Sequence, residues 1–322
     1  MAPVLAVLLS TFPFFALVLC GYVATRRGAL PQVAIPGLNT FVLYFALPCL
    51  LFRFGATTPI TRHLDVSMVG VYMTCAVIVV AVIVAMTRRG HIGWNDAAFG
   101  ALVGVFPNTG YMGVPLLVAL FGTQAAGPAI ATILIDLLLT SSLCIALSRL
   151  GGADGQGVGA AFRSTVKAVA VNPMPWAIVL GVVTYASGVT LPAPIMQTIG
   201  LLADAASPVA LFAIGAVLSR SQSSAAAPTP LRDYVPVALI KLLLHPLLML
   251  AIGYSAIRLG APLDPFALKV IVLVAALPSA SNVVMLAERF GADSGRLARI
   301  ILVSTSLAFL TFSAAVTLLA GH

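Results

Sequence analysis

Ten apolar runs, each long enough to cross a lipid bilayer, dominate this sequence. They lie at about 4–25, 36–55, 67–87, 96–121, 127–148, 173–190, 197–219, 234–258, 265–289 and 297–320. A helix of about 20 apolar residues spans the roughly 30 Å hydrocarbon core of a membrane. Runs such as AVIVVAVIVAM are apolar on every side, as expected where each backbone group must be satisfied within its own segment. We therefore predict an all-α integral membrane protein with ten transmembrane helices.

The composition excludes several classes of soluble protein. Of the 322 residues, 61% are hydrophobic and only 8% are charged, whereas a soluble domain carries about 25% charged residues. A cytosolic enzyme, a nucleic-acid-binding module and a secreted disulfide scaffold are thereby excluded. The four cysteines lie in apolar runs without metal-binding spacing, and the motifs HExxH, GxSxG and the P-loop are missing from the sequence. We expect neither an enzyme nor a bound metal or cofactor.

The basic residues predict the orientation of the chain. With the N-terminus outside the cytoplasm, 12 of the 17 Lys and Arg residues fall in cytoplasmic loops, three fall outside and two lie within spans. Cytoplasmic loops of membrane proteins are enriched in Lys and Arg. We therefore expect both termini outside the cytoplasm. The run at 4–25 is long enough to be the first span and lacks the basic start of a signal peptide.

A polar, glycine-rich stretch divides the ten spans into five and five. We predict a first five-helix repeat at 1–150, a cytoplasmic linker at 151–172 and a second repeat at 173–322. Five spans per half give the halves opposite orientations, the inverted-repeat plan of many secondary transporters. Helix breakers occupy matching places in the two halves, as with Pro48 in span two and Pro208 in span seven.

Spans four and nine are interrupted by residues that break helices. These residues are Pro107, Gly110, Gly113 and Pro115 in span four and Pro278 in span nine. Proline removes a backbone donor and glycine weakens the helix. Four breakers within nine residues predict an unwound segment in span four. Irregular backbone at membrane depth is tolerated where it lines a cavity enclosed by protein or filled with water.

Polar side chains cluster at the same two interruptions. They are Asn108, Thr109 and Tyr111 in span four and Ser279, Ser281 and Asn282 in span nine. Paired interruptions in two halves of a transporter point to its binding site. Backbone N–H groups and the positive dipole end of a half-helix favour an anion, while the opposite helix ends offer carbonyls to a cation. We predict a substrate site formed by these residues with Gly110; the simpler alternative is a pair of proline kinks.

The motifs FPNTGYMGVPLL and LPSASNVVMLAERFG resemble the auxin efflux carrier family, part of the bile-acid/sodium symporter-like transporters. NPMPWAIVLG and ASPVALFAIG are also similar to members, and the resemblance covers nearly the whole chain. It implies two inverted five-helix repeats in which spans four and nine cross at their breaks. It also implies a scaffold of spans one, two, six and seven, a mobile transport domain made of the rest, and a homodimer formed through the scaffold.

The resemblance points to a secondary transporter in the inner (plasma) membrane. The short central loop is similar to bacterial members linked to malonate, malate and other small carboxylates, rather than to plant auxin carriers. We expect a carrier of small organic anions that works by alternating access, with possible coupling to H⁺ or Na⁺ and with the lipid bilayer, not nucleic acid, as its surroundings. A sodium-coupled carrier of a different solute, an anion channel and a membrane-bound sensor are the alternatives.

Three ionisable residues within predicted spans are candidates for coupling or gating, because an unpaired charge is costly there. Asp136 in span five is either a neutral, hydrogen-bonded packing residue or a proton or sodium site. Lys241 in span eight either extends to the membrane surface or counters Asp136 and attracts the substrate. His245, one turn further on, is either a packing residue or a proton relay.

A hydroxyl-rich segment in span ten completes the predicted coupling and gating residues. By the repeat alignment, Thr305 lies close to the counterpart of Asp136. Ser304, Thr305 and Ser306 are either hydroxyl ligands or ordinary contacts between helices.

Overall fold

The computed structural model of the protein describes residues 2–57, 65–88, 92–151, 173–223 and 229–320. The regular structure in these ranges is helical, without a β-strand, so the predicted all-α class is confirmed. The predicted linker lies outside the described residues from 152 to 172.

Fifteen α-helices lie in the described ranges. In chain order they are α1 (Ala2–Arg26), α2 (Ile35–Phe41), α3 (Leu47–Thr57), α4 (Val66–Arg88), α5 (Trp94–Val105), α6 (Val114–Phe121), α7 (Ala126–Ile135), α8 (Ser141–Ser148), α9 (Pro173–Ser187), α10 (Ala193–Ser223), α11 (Val235–Leu239), α12 (His245–Arg258), α13 (Pro265–Ala276), α14 (Asn282–Arg289) and α15 (Ser294–Ala320). Four wide turns of the π type join consecutive helices at Val42–Ala46, Thr109–Gly113, Asp136–Thr140 and Ile240–Leu244.

Six helical stretches in the described ranges are long and apolar enough to cross a membrane. They are Gln32–Thr57, Val66–Arg88, Thr123–Ser148, Ala193–Arg220, Val235–Arg258 and Ser294–Leu319. Shorter apolar helices lie at Phe12–Arg26, Thr109–Phe121, Pro173–Ser187 and Pro265–Ala276. The chain is thus a multi-pass membrane protein, while the count of ten spans and the inverted repeat stay predictions.

The chain forms two compact units that do not coincide with its two sequence halves. The first unit comprises Met1–Leu64, Thr109–Ala131 and Asn172–Ala225, and the second comprises Asp65–Asn108, Thr132–Val171 and Ala226–His322. The first unit contains predicted spans one, two, six and seven, the four that the resemblance groups as a scaffold. The repeat boundaries at residues 150 and 173 stay predictions.

Small residues bring helices together in the first unit. A Cβ atom built on Gly215 of α10 would lie 1.8 Å from the carbonyl oxygen of Val18 in α1, and one on Gly21 of α1 would lie 1.9 Å from that of Phe212. Such spacing exists only because glycine lacks a side chain, as at other close helix crossings in membranes. The backbones of α1 and α10 are therefore in direct contact.

A buried arginine ties together three helix starts in the second unit. Arg296, near the start of α15, donates from Nε to the carbonyl of Asp233 at 2.8 Å and from Nη1 to that of Asp96 at 2.9 Å. The Asp96 carboxylate in turn accepts the Asp293 N–H at 2.8 Å. This network joins the starts of α5, α11 and α15 at one end of the unit.

Candidate functional site at two interrupted helices

Two helices of the second unit break off at prolines. Helix α5 ends at Val105, where Phe106 turns the backbone to an extended ψ of 107°. Helix α13 ends at Ala276, where Leu277 is extended with a ψ of 156°. Pro107 and Pro278 come next in the two segments, and neither has an N–H with which a helix could continue. Both helices thus end before the prolines at which the sequence analysis places the breaks.

The two interruptions are joined to each other through their main chains. The Asn108 N–H donates to the carbonyl of Pro278 at 2.8 Å, and the Ala280 N–H donates to the carbonyl of Phe106 at 3.0 Å. Together they form an isolated antiparallel bridge between Pro107 and Ser279. Because the Asn108 N–H is used in this joint, it is not a free donor for a substrate.

The unwound part of span four is shorter than predicted. Only Phe106–Asn108 leaves the helix, and Gly110, Gly113 and Pro115 lie in the helical chain that follows. The reason is the wide turn Thr109–Gly113, which precedes Pro115 at the start of α6. A wider turn gives room to the proline ring, and the first helical positions need no N–H. Gly113 and Pro115 are therefore not part of the break.

Polar side chains at the second interruption have unused hydrogen-bonding atoms. Ser279 is 1% exposed, and neither its Oγ atom nor the buried Oδ1 atom of Asn282 has a hydrogen-bond partner among the described residues. The backbone N–H of Ser279 donates to Oγ of Ser304 at 3.2 Å. Buried polar atoms are normally paired, so two orphans at one break need an explanation such as a ligand or a water molecule.

The hydroxyl-rich segment of α15 reaches this break through Ser304. Ser304 is fully buried, while its neighbour Thr305 is 6% exposed. The repeat alignment that places Thr305 close to the counterpart of Asp136 stays a prediction. Ser304 is thus the hydroxyl residue of this segment that accepts a hydrogen bond from the break.

Residues Thr109, Gly110 and Tyr111 belong to the first unit, whereas the residues of the joint belong to the second. Thr109 and Tyr111 are buried within the wide turn, and Oγ1 of Thr109 is also buried without a described partner. A Cβ atom on Gly110 would lie in ordinary contact with Leu47, at 3.6 Å. Their predicted part in substrate binding stays a prediction.

The carboxylate of Asp136 lies fully buried in the second unit among hydroxyl groups. It accepts a hydrogen bond from the Tyr72 hydroxyl at 2.7 Å and one from Thr140 Oγ1 at 3.0 Å. The Ser141 hydroxyl bonds to its backbone carbonyl at 2.8 Å. Because Asp136 begins the wide turn Asp136–Thr140, its carbonyl accepts from the Ser141 backbone N–H as well as from the Ser141 hydroxyl. Wide turns of this kind occur frequently at functional sites.

Lys241 is fully buried, which excludes the alternative that it extends to the membrane surface. Its Nζ atom donates to the carbonyl of Ala275 at 2.7 Å and lies 3.1 Å from Nδ1 of His245. Lys241 and Asp136 interact electrostatically, but the two described side chains form no direct ion pair. Nε2 of His245 is buried without a described partner. The predicted coupling residues of spans five and eight thus share one core.

Sequence reasoning missed the partners of these buried groups. Tyr72 stands 64 positions from Asp136 along the chain, and no spacing rule connects residues on two different spans. A lone tyrosine in the apolar run of span three was the available signal. Among the described residues, no group of three or more His, Cys, Asp or Glu side chains is placed to hold a metal ion.

Comparison with known proteins identifies the family. The pattern of the membrane transport protein family matches residues 6–152 and 160–316. The chain is 30% identical over 302 residues to the "Putative malonate transporter" of Rhizobium meliloti strain 1021, covering 93% of this chain and 91% of that protein. It is 27% identical over 286 residues to the uncharacterized transporter YfdV of Escherichia coli K12, covering 86% of each. It is 25% identical over 322 aligned positions to auxin efflux carrier component 8 of Arabidopsis thaliana, covering 84% of this chain and 85% of that protein. With helices that span the membrane several times and this match over most of its length, the chain belongs to the membrane transport protein family of the auxin efflux carriers.

Proposed function

We propose that this membrane transporter is a secondary carrier of small organic anions, either mono- or dicarboxylates such as malonate or malate. It works in the inner membrane by alternating access, with ten helices in two inverted repeats. The substrate binds at the joint between the two interrupted helices. Its ligands there are the side chains of Asn108, Ser279, Ser281 and Asn282 and the backbone N–H groups at the start of α14.

The observation that carries this proposal is the pair of orphaned polar atoms at the second break. Ser279 Oγ can donate to a carboxylate, and the amide of Asn282 can rotate to present its nitrogen instead of its oxygen. The first N–H groups of α14 have no acceptor within the helix. The positive end of that helix favours a negative charge at the same place.

The charge of Lys241 also favours an anion. Its ammonium group is bound to the carbonyl of Ala275, three residues before Pro278. A buried positive charge attracts a carboxylate more strongly than it would in water. The Rhizobium meliloti relative at 30% identity is named as a "Putative malonate transporter", a substrate of this class.

In the proposed alternating access, the second unit moves as one body. The joint, the Asp136 cluster and Lys241 all belong to this unit, so a bound anion travels with its ligands. The main-chain hydrogen bonds of the joint keep the two breaks together during such a movement.

The proposal is tested by uptake of radiolabelled malonate and malate into proteoliposomes. Asn282→Ala should weaken binding about 10- to 100-fold, because a hydrogen bond to a charged group is worth roughly 1.5–3 kcal/mol. Ser279→Ala should act in the same direction, whereas Ser306→Ala, at an exposed position of α15, should leave uptake unchanged.

Two further measurements separate the alternatives. Uptake that saturates with solute concentration is expected of a carrier, whereas a channel conducts without saturating at millimolar concentrations. Replacement of sodium by N-methylglucamine should leave uptake intact, and a loss would favour the sodium-coupled carrier. Normal uptake by both Asn282→Ala and Ser279→Ala would remove the joint as the substrate site.

A further inference from the structure

We propose that the ammonium group of Lys241 is a tethered cation, which takes the place of a free coupling cation at the broken end of α13. The protein therefore binds and uses no sodium ion there. The consequence for transport rests on the proposed function, but the consequence for cation binding does not.

The broken end of α13 is where a cation is needed. The last carbonyls of a helix lack partners within the helix and carry its negative dipole. In α13 the carbonyl of Val274 accepts the Leu277 N–H at 3.1 Å, and Pro278 has no N–H to offer to the next. The carbonyl of Ala275 instead accepts Lys241 Nζ at 2.7 Å. Lys241, in the wide turn Ile240–Leu244, supplies a donor to this carbonyl in place of the N–H that proline lacks.

Carbonyls at such ends are the groups with which carriers of this architecture coordinate sodium or protons. An ammonium group seeks the same oxygens, with three donors and no acceptor. Lys241 is fully buried, so water cannot solvate its charge, and burial without compensation would be prohibitive. The carbonyl and the helix dipole provide that compensation.

The neighbouring histidine offers a second acceptor to the lysine. His245 follows Lys241 by four positions, and its Nδ1 atom lies 3.1 Å from Nζ. To accept from an ammonium group, Nδ1 must carry a lone pair, so the ring is neutral with its hydrogen on Nε2. That Nε2 atom is buried and has no described partner. A neutral acceptor on one side and a carbonyl on the other thus accept hydrogens from Nζ, an arrangement that suits an ammonium group.

A free sodium ion at this place would meet a like charge. A second cation beside Nζ would be repelled, and this repulsion is much stronger inside a protein than in water. The fixed ammonium group and a free sodium ion therefore exclude each other.

Thermal unfolding of the purified protein in detergent tests the proposal without any transport substrate. The wild type, Lys241→Ala, Lys241→Met and Lys269→Ala are melted in N-methylglucamine buffer, and sodium chloride or methylammonium chloride is then titrated in. Lys269 is a half-buried lysine on α13 itself and serves as the matched control. Size-exclusion elution as a single peak shows that each variant is folded.

We expect that neither cation changes the melting temperature of the wild type or of Lys269→Ala. Lys241→Ala should melt lower and recover part of the loss in a saturable manner with sodium or methylammonium, because a ligand of the folded state stabilises it. Lys241→Met, whose side chain fills the vacated space, should not respond.

Saturable stabilisation of the wild type by sodium would overturn the proposal, and this arm needs no variant. Equal responses of the Ala and Met variants would overturn it too, since the cation would then act elsewhere. If the wild type fails to take up any carboxylate, the proposed substrate class is lost while these melting results stand.

Discussion

The carboxylate of Asp136 shows how a membrane interior accepts an acidic residue. Its side-chain oxygens are held by hydroxyl groups from α4 and from its own wide turn, at 2.7 and 3.0 Å. Each hydroxyl donates to the carboxylate and so replaces a water molecule. Removing one donor leaves part of a buried polar group unsatisfied, which costs more than the bond itself contributes.

Tyr72→Phe should therefore destabilise the protein by about 1–3 kcal/mol, the usual cost of an unsatisfied buried polar group. The ring still fills its place, so the loss reports on the hydrogen bond. Tyr44→Phe, at a residue 57% exposed, is the matched control and should change stability little. Unfolding followed by near-ultraviolet circular dichroism measures both. Equal stability of the two variants would contradict the assigned role of Tyr72.

The sequence singles out the charged residues of the spans, but it does not give the groups that they contact. Asp136, Lys241 and His245 stood out because charges in apolar runs are rare. Their partners are a tyrosine on another span and a backbone carbonyl, and a carbonyl carries no signal in the amino-acid letters. The reach of Lys241 to Ala275 depends on how α12 and α13 pack, which one sequence does not specify.

Among the helices, the contact between α1 and α10 depends on two glycines. Gly215→Ala places a methyl group 1.8 Å from a backbone carbonyl oxygen, and backbone cannot step aside as a side chain can. The two helices must separate along their length, with the loss of the apolar contacts on both sides.

We expect Gly215→Ala to cost about 3 kcal/mol or more, the upper end of the range for overpacking. Gly200→Ala on the same helix meets nothing within 4 Å and should be neutral or slightly stabilising, since alanine favours a helix over glycine by roughly 1 kcal/mol. The two melting temperatures, measured side by side, test this. A Gly215→Ala variant as stable as Gly200→Ala would disprove the close approach.

The wide turns explain why a count of prolines overestimates breaks. Pro48, Pro115 and Pro246 each follow a wide turn by two residues, and the helix continues through all three. Pro107 and Pro278 instead stop their helices. The sequence marks Pro48, Pro107, Pro115 and Pro278 as helix breakers, but it does not show at which of them the helix ends and at which it continues after a wide turn.

In the molecule as a whole, the two compact units do not correspond to two consecutive parts of the sequence. The clearest boundary in the letters is the polar stretch at 151–172, whereas each compact unit draws three segments from both halves. The cut between Asn108 and Thr109 falls at the break in span four. A pattern read along the chain detects loops, but it does not detect which helices share a core.

The distribution of Lys and Arg predicts the orientation of the whole molecule. With 12 basic residues on one side and three on the other, we expect both termini outside the cytoplasm. Alkaline phosphatase fused after His322 should be active, and green fluorescent protein at the same place should stay dark. Fusions after residue 160 should show the reverse, and a fluorescent fusion at the C-terminus would contradict the assignment.

The joint between the two breaks has a consequence for how such carriers diversify. It is made by the N–H groups of Asn108 and Ala280 and the carbonyls of Pro278 and Phe106, and every amino acid supplies a carbonyl while all but proline supply the N–H. Mutations that exchange the side chains at the two breaks therefore leave the main-chain hydrogen bonds of the joint in place. The side chains around the joint can change one at a time while the connection between the two interrupted helices is kept.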